Sequence, residues 1–232
     1  MKKQLIILVL ALTTGLLPAQ TVVSSSYTNS TVTSIPDGSP VGITEQFNVS
    51  GVGGSVTNVT VALDLTGGFN GDLYAYLVNP QGQLAVLINR PGVTAGNPFG
   101  YSDAGFNITL DASSANVHGY GSGYSTNGLG QVVGTWGADG RNIDPQSAGS
   151  VFDSAATGAG LNLYSGLDGS AMNGTWTFFI ADLASGGGSP TLNSVILTIM
   201  TVPEPQSWAL LGGGLILVCL WRHRRTSFFN QP

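Results

Sequence analysis

Charged residues are few in this sequence. Its 232 residues include seven Lys or Arg and twelve Asp or Glu, 8% of the chain. Basic residues are scarcest in the middle. Between residues 21 and 201 only Arg90 and Arg141 are basic, against eleven of the twelve acids, for a formal charge of −9. A surface so acidic disfavours nucleic acid and anionic lipid as partners, since both require clustered cations. It is compatible with divalent cations. Cysteine is nearly absent: Cys219 is the only one, so no internal disulfide can form and stability must come from an apolar core. Histidine is limited to His118 and His223, too few for a zinc site built on several His or Cys ligands. A sustained 3.6-residue period is missing from residues 21–201, which excludes a helical bundle.

The two ends of the chain carry most of the positive charge. Lys2 and Lys3 precede the apolar run Leu5 to Leu12, and small and turn-prone residues follow through Pro18 and Ala19. Residues 1–19 therefore read as a signal peptide rather than a retained anchor, because the apolar run is well short of the ~20 residues a spanning helix needs. At the other end Val202-Pro203-Glu204-Pro205 leads into an apolar stretch from Trp208 to Trp221, then Arg222-His223-Arg224-Arg225. Flanking tryptophans suit two membrane interfaces, and the basic tail of Arg222, Arg224 and Arg225 suits the cytoplasmic side. A single transmembrane helix is expected over about 207–221. Cys219 lies inside it and reads as a small apolar residue or, less simply, a lipidation site.

Between these ends, glycine is abundant (34 residues) but the chain is not disordered, because apolar runs keep returning between turns. Val59 to Leu65, Leu73 to Val78, Trp176 to Ile180 and Val195 to Ile199 alternate with period two, the mark of strands with one buried face. Thr66-Gly67-Gly68, Asn79-Pro80-Gln81-Gly82 and Ser185-Gly186-Gly187-Gly188 separate them, and the second is a tight turn joining the strands at Leu73 and Leu84. The pattern predicts an all-β sandwich over residues 35–200, with Val59, Val61, Leu63, Leu73, Leu77, Trp176, Phe178, Ile180 and Leu197 facing inward. Residues 20–34, rich in Ser and Thr, read as an edge strand or a polar leader. Residues 117–159 read as a long, functional or partly mobile loop.

Two family resemblances arise here. Val202-Pro203-Glu204-Pro205, the apolar stretch and the basic end together resemble the PEP-CTERM sorting signal of Gram-negative bacteria, over residues 202–225; residues 226–232 run past its usual stop. The resemblance implies recognition and cleavage by an exosortase near this motif. It also implies a membrane-anchored precursor and delivery to the cell surface or to a biofilm matrix. The body resembles the P domain (P/Homo B) of subtilisin-like proprotein convertases. Matching blocks are Val59 to Leu65, Gly71-Asp72-Leu73 through Gly82, and Asn173-Gly174-Thr175-Trp176 through Asp182, then Leu192 to Ile199. That resemblance implies a jelly-roll-like β-sandwich. The histidine common in the family before Gly-Asp-Leu is missing, the residues there being Thr66 to Asn70. A P domain's task of stabilising an adjoining protease is not carried over.

Chemistry is sparse in the body. A Ser-His-Asp site would need His118 as base; it falls in a glycine-rich segment, where a solvated loop histidine is expected. No pair among the many aspartates has spacing that selects a glycosidase acid and base. Calcium, which takes six to eight oxygens, suits them better. Asp64, Asp72 and Asp182 are the candidate calcium ligands if they converge at one end of the sandwich, and turn-capping residues if they do not. Asp139 to Asp144 offers further oxygens. Tyr74 and Tyr76 on one strand face, with Tyr101, Tyr120, Tyr124 and Trp136 in the loop-rich middle, are candidate sugar contacts. The reading is an exported, non-catalytic surface or matrix protein. The alternatives are a carbohydrate-binding module engaging exopolysaccharide and, behind it, a cryptic hydrolase.

Overall fold

The computed structural model describes residues 21–121 and 123–203, together with Gly214. Residues 22–202 form one compact unit. Its strands are β1 (Val23–Asn29), β2 (Thr33–Ser34), β3 (Ser39–Val49), β4 (Ser55–Thr66), β5 (Leu73–Val78), β6 (Leu84–Asn89), β7 (Gly105–Asn116), β8 (Ser125–Thr126), β9 (Val132–Gly137), β10 (Gly174–Asp182) and β11 (Thr191–Val202). The larger sheet runs β1-β11-β4-β7-β9-β8, with β2 also paired to β11; the smaller runs β3-β10-β5-β6. Within this unit, helix is confined to one six-residue turn, Gly149–Ser154, and four short 3-10 segments among the described residues. The all-β expectation holds.

Alternation decides which face is buried. Along β4, Val56, Val59, Val61, Leu63 and Leu65 point in, while Thr60, Ala62 and Asp64 point out. β11 answers with Leu192, Val195, Leu197 and Ile199, in register with β4 from Val195 opposite Leu63 to Ile199 opposite Val59. From the smaller sheet come Leu73, Ala75, Leu77, Trp176, Phe178 and Ile180. All nine inward residues expected from the sequence are buried in one core shared by the two sheets. Trp176 is fully buried; its ring meets Tyr164 edge-on at 5.0 Å and its indole N–H donates to the Met172 carbonyl at 2.8 Å.

The turn after β5 is built around Asn79. Its side-chain oxygen accepts from the backbone N–H groups of Gln81 (3.1 Å) and Gln83 (2.8 Å), and its amide donates to the Gln83 side chain. Asn127 does the same for Leu129, Gln131 and the Gln131 side chain. Both turns have the pattern Asn-x-x-Gly-Gln, and Gly82 and Gly130 take φ of 77° and 79°, a left-handed backbone only glycine adopts without strain.

Residues 117–159 hold more order than their sequence suggests. β9 lies parallel to β7, Phe106 opposite Val132 and Leu110 opposite Trp136. Its pattern is broken by Gly134 and Gly137, and a parallel strand needs no local hairpin signal, so alternation alone does not reveal it. Residues 20–34 supply β1, the edge strand of the larger sheet, and Val23 pairs with Thr201 so that the two ends of the unit lie side by side.

Candidate functional site

His118 does not sit in a solvated loop. It is buried, with Nδ1 3.0 Å from Asp139 Oδ2 and 3.1 Å from the Asn89 carbonyl, and Nε2 3.1 Å from the Val93 carbonyl. Phe152 stacks on its ring at 5.7 Å. Asp139, fully buried, also takes Arg141 at 2.8 Å. The histidine was misjudged because its neighbours in sequence are glycines, whereas its partners come from β6, from the turn after β9 and from the helix Gly149–Ser154. Both ring nitrogens are engaged with oxygen acceptors, and among the described residues no hydroxyl hydrogen-bonds to the ring. The same contacts occupy Asp139, so the Asp139 to Asp144 segment does not present a free set of oxygens.

The three candidate calcium ligands do not converge. Asp64 lies on the outer face of the larger sheet, where its Oδ1 accepts from Gln131 (2.7 Å) and Asn193 (3.2 Å). Asp72 and Asp182 lie together beside the start of β5, Asp182 being paired across the ladder with Leu73. Arg90 approaches Asp72 at 3.7 Å. Asp182 is fully buried and its Oδ2 has no hydrogen-bond partner. Burial pushes its carboxyl up to about 6, against amide hydrogen bonds from Ala184 and Gly38 and with added repulsion from Asp72 and Asp37. A carboxyl in that state can take a proton or meet a cation. Among the described residues no group of three His, Cys, Asp or Glu side chains is placed to hold a metal ion.

The candidate aromatics divide by location. Tyr120 is fully buried and Tyr101 and Trp136 pack against the core, leaving Tyr124 as the exposed member of the loop set. Tyr74 and Tyr76 are half-buried on the outer face of the smaller sheet, where Phe179 joins them; Tyr76 and Phe179 stack at 4.8 Å and Tyr74 meets Tyr76 edge-on at 5.9 Å. Phe179 was not singled out from the sequence, although its alternation with Phe178 marks it as outward.

The outer face of the larger sheet carries a shallow groove of about 240 Å³. Two rows of side chains cross it. Ser194, Asp64 and Asn107 form one, and Ile196, Ala62 and Thr109 the other, each set opposite one another on β11, β4 and β7. Sequence alternation turned Ala62, Asp64 and Ile196 outward, but it gave no reading of β7 and no sign that these residues align.

β11 ends at Val202, opposite Ser55, and Pro203 follows directly. Residues 201–225 match the PEP-CTERM protein-sorting motif. The chain is thus an exported protein sorted by an exosortase-type enzyme, made as a membrane-anchored precursor. The match takes in the last two residues of β11, Thr201 and Val202, so the sorting segment follows the folded body with no linker in the sequence. The signal peptide expected at 1–19, the rest of the motif (Glu204 and Pro205), the helix expected at 207–221 and the basic tail lie outside the described residues, apart from the helical Gly214. Among solved structures, the chain is similar to an Aeromonas sobria serine protease in complex with its chaperone, at 16% identity over 84% of this chain and 29% of that one, with a TM-score of 0.43. Another structure, the serine protease of Aeromonas sobria, is similar at 16% identity over 83% and 29%, with a TM-score of 0.40. The chain thus spans 29% of each of those proteins. No curated protein matches it.

Proposed function

We propose that the sorted body is a non-catalytic β-sandwich module displayed at the cell surface or in the extracellular matrix after exosortase-type processing. The observation that carries this reading is the direct run of β11 into the sorting motif. Processing there releases a unit whose last strand is already paired on both sides, with β1 and β4. The engagement of both His118 nitrogens supports a non-catalytic role, since a general base needs a lone pair free for the substrate proton. The blocks that resemble those of P domains suit a β-sandwich that serves without chemistry of its own, and contact with exopolysaccharide in a biofilm is the partner this placement suits.

The test follows the C-terminus of the mature protein by mass spectrometry in a host that has an exosortase. The expected form ends near Pro203-Glu204-Pro205. Retention of Trp208 to Arg225 on most surface-exposed protein would leave a plain membrane anchor and overturn the sorting model.

A further inference from the structure

The groove on the larger sheet sets polar side chains of three strands beside one fixed carboxylate. Some outward polar side chains of the sheet meet across strands, as Ser26 and Thr198 do at 2.9 Å. In the groove they do not. Asp64 stands between Ser194 and Asn107, and Ala62 between Ile196 and Thr109. Yet the side chains of Ser194, Asn107 and Thr109 make no hydrogen bond to any described residue.

Asp64 is held in place through one oxygen only. Gln131, 1% exposed, anchors its amide on the Leu65 carbonyl at 2.9 Å and donates to Asp64 Oδ1 at 2.7 Å. Asn193 adds a second bond to the same oxygen. Oδ2 is left without a partner among the described residues. The carboxylate is therefore oriented before any ligand arrives, which lowers the entropic cost of binding. Small residues keep the floor low, with Ala62 at the centre and Gly134 at the β9 side.

We infer that this groove binds a short stretch of a neutral polysaccharide, with Asp64, Asn107, Ser194 and Thr109 taking its hydroxyls and Ala62 and Ile196 supporting its C–H face. A sugar ring presents adjacent hydroxyls at its edge and carbon-bound hydrogens on its face. Asp64 Oδ2 accepts from a hydroxyl, while the Asn107 amide and the Ser194 and Thr109 hydroxyls both donate and accept. The charge pattern excludes an acidic glycan: no Lys or Arg lines the groove, and a uronic acid would meet Asp64. The groove crosses β11, β4, β7 and β9; three inter-strand spacings of ~4.8 Å give roughly 14 Å, suited to about two or three rings. The half-buried rings of Tyr74, Tyr76 and Phe179 on the opposite sheet turn their faces and edges to one another, and so offer less free area for stacking.

This inference rests on the display reading for access to such a glycan, whereas binding in solution does not depend on sorting. The full chain, purified in a detergent without a sugar headgroup, is titrated with cellohexaose, laminarihexaose and mannohexaose, and with a polygalacturonate hexamer. At least one neutral hexamer is expected to bind and raise the melting temperature, and the acidic one is not. Ala62→Trp fills the floor and should abolish binding. Asn107→Ala should weaken it about tenfold, the worth of one hydrogen bond in an exposed site. If Ala62→Trp fails to fold, as judged by circular dichroism, Asn107→Ala alone decides. Failure of all three neutral hexamers, equal binding of the acidic one, indifference to these substitutions, or loss with Tyr76→Ala instead would each overturn the inference. None of these results bears on where the tail is cut.

Discussion

Asp182 and Asp139 are both fully buried carboxyls, and they differ in what surrounds them. Asp139 is matched on both oxygens, Oδ1 by Arg141 and Oδ2 by His118. Replacing it with alanine strips the partner from buried cationic and polar groups, and should cost about 3–5 kcal/mol of stability. Urea denaturation with an unchanged m-value would measure that loss. Asp182 has one bare oxygen and acidic neighbours. Its folded-state value of about 6 lies above the ordinary 3.8, so the protonated carboxyl favours folding. That contribution is complete below the unfolded value and disappears as pH rises through about 6. Thermal unfolding between pH 4 and 7 should therefore show a loss of stability toward neutrality that Asp182→Asn removes, with the variant more stable than wild type at pH 7. Repeating the pH 7 scan in millimolar calcium and in chelator separates the two occupants of the bare oxygen. Equal curves leave the proton, and a calcium-dependent rise in melting temperature supports a cation at Asp72 and Asp182.

At the scale of elements, the smaller sheet depends on β10. It lies between β3 and β5 and supplies Trp176, Phe178 and Ile180 to the core. Trp176→Ala removes the largest of these and orphans the Met172 carbonyl, and should cost about 3–5 kcal/mol. A melting temperature close to wild type would contradict the packing described. The Asn79 and Asn127 turns show how local chemistry is used twice. In each, a side-chain amide replaces backbone bonds that a tight reversal cannot make, and a glycine takes the left-handed position. One closes the β5–β6 hairpin; the other joins β8 to β9.

For the whole molecule, an interior strand of the larger sheet is also the one that runs into the sorting motif. β11 pairs with β1, β2 and β4, and Val202 is still in the ladder where the matched segment has begun. Proline at 203 cannot donate to a ladder and keeps Val202 extended, so the strand ends there. Replacing Pro203, Glu204 and Pro205 with alanine should leave the protein in the membrane with its tail attached, as read by fractionation and mass spectrometry. The body should unfold as wild type does, because the core described lies between Tyr27 and Ile199.

Sequence by itself determined the class of the fold, the inward faces of its main strands, the turn at Asn79 and the sorting tail. Each of these is written in neighbouring residues: period two sets a strand's buried face, an Asn-Pro-x-Gly run sets a reversal, and order along the chain sets a targeting signal. Tertiary structure decided the rest. It sealed His118 against Asp139, which lies in the turn after β9. It separated Asp64, on the larger sheet, from Asp182, on the smaller sheet, and from Asp72 just before β5. It laid β9 parallel to β7, a pairing with no local signal, and aligned Asp64, Asn107 and Ser194 across three strands. Register between strands distant in sequence depends on how all the inward faces pack at once, so which outward residues become neighbours is a property of the folded sheet alone.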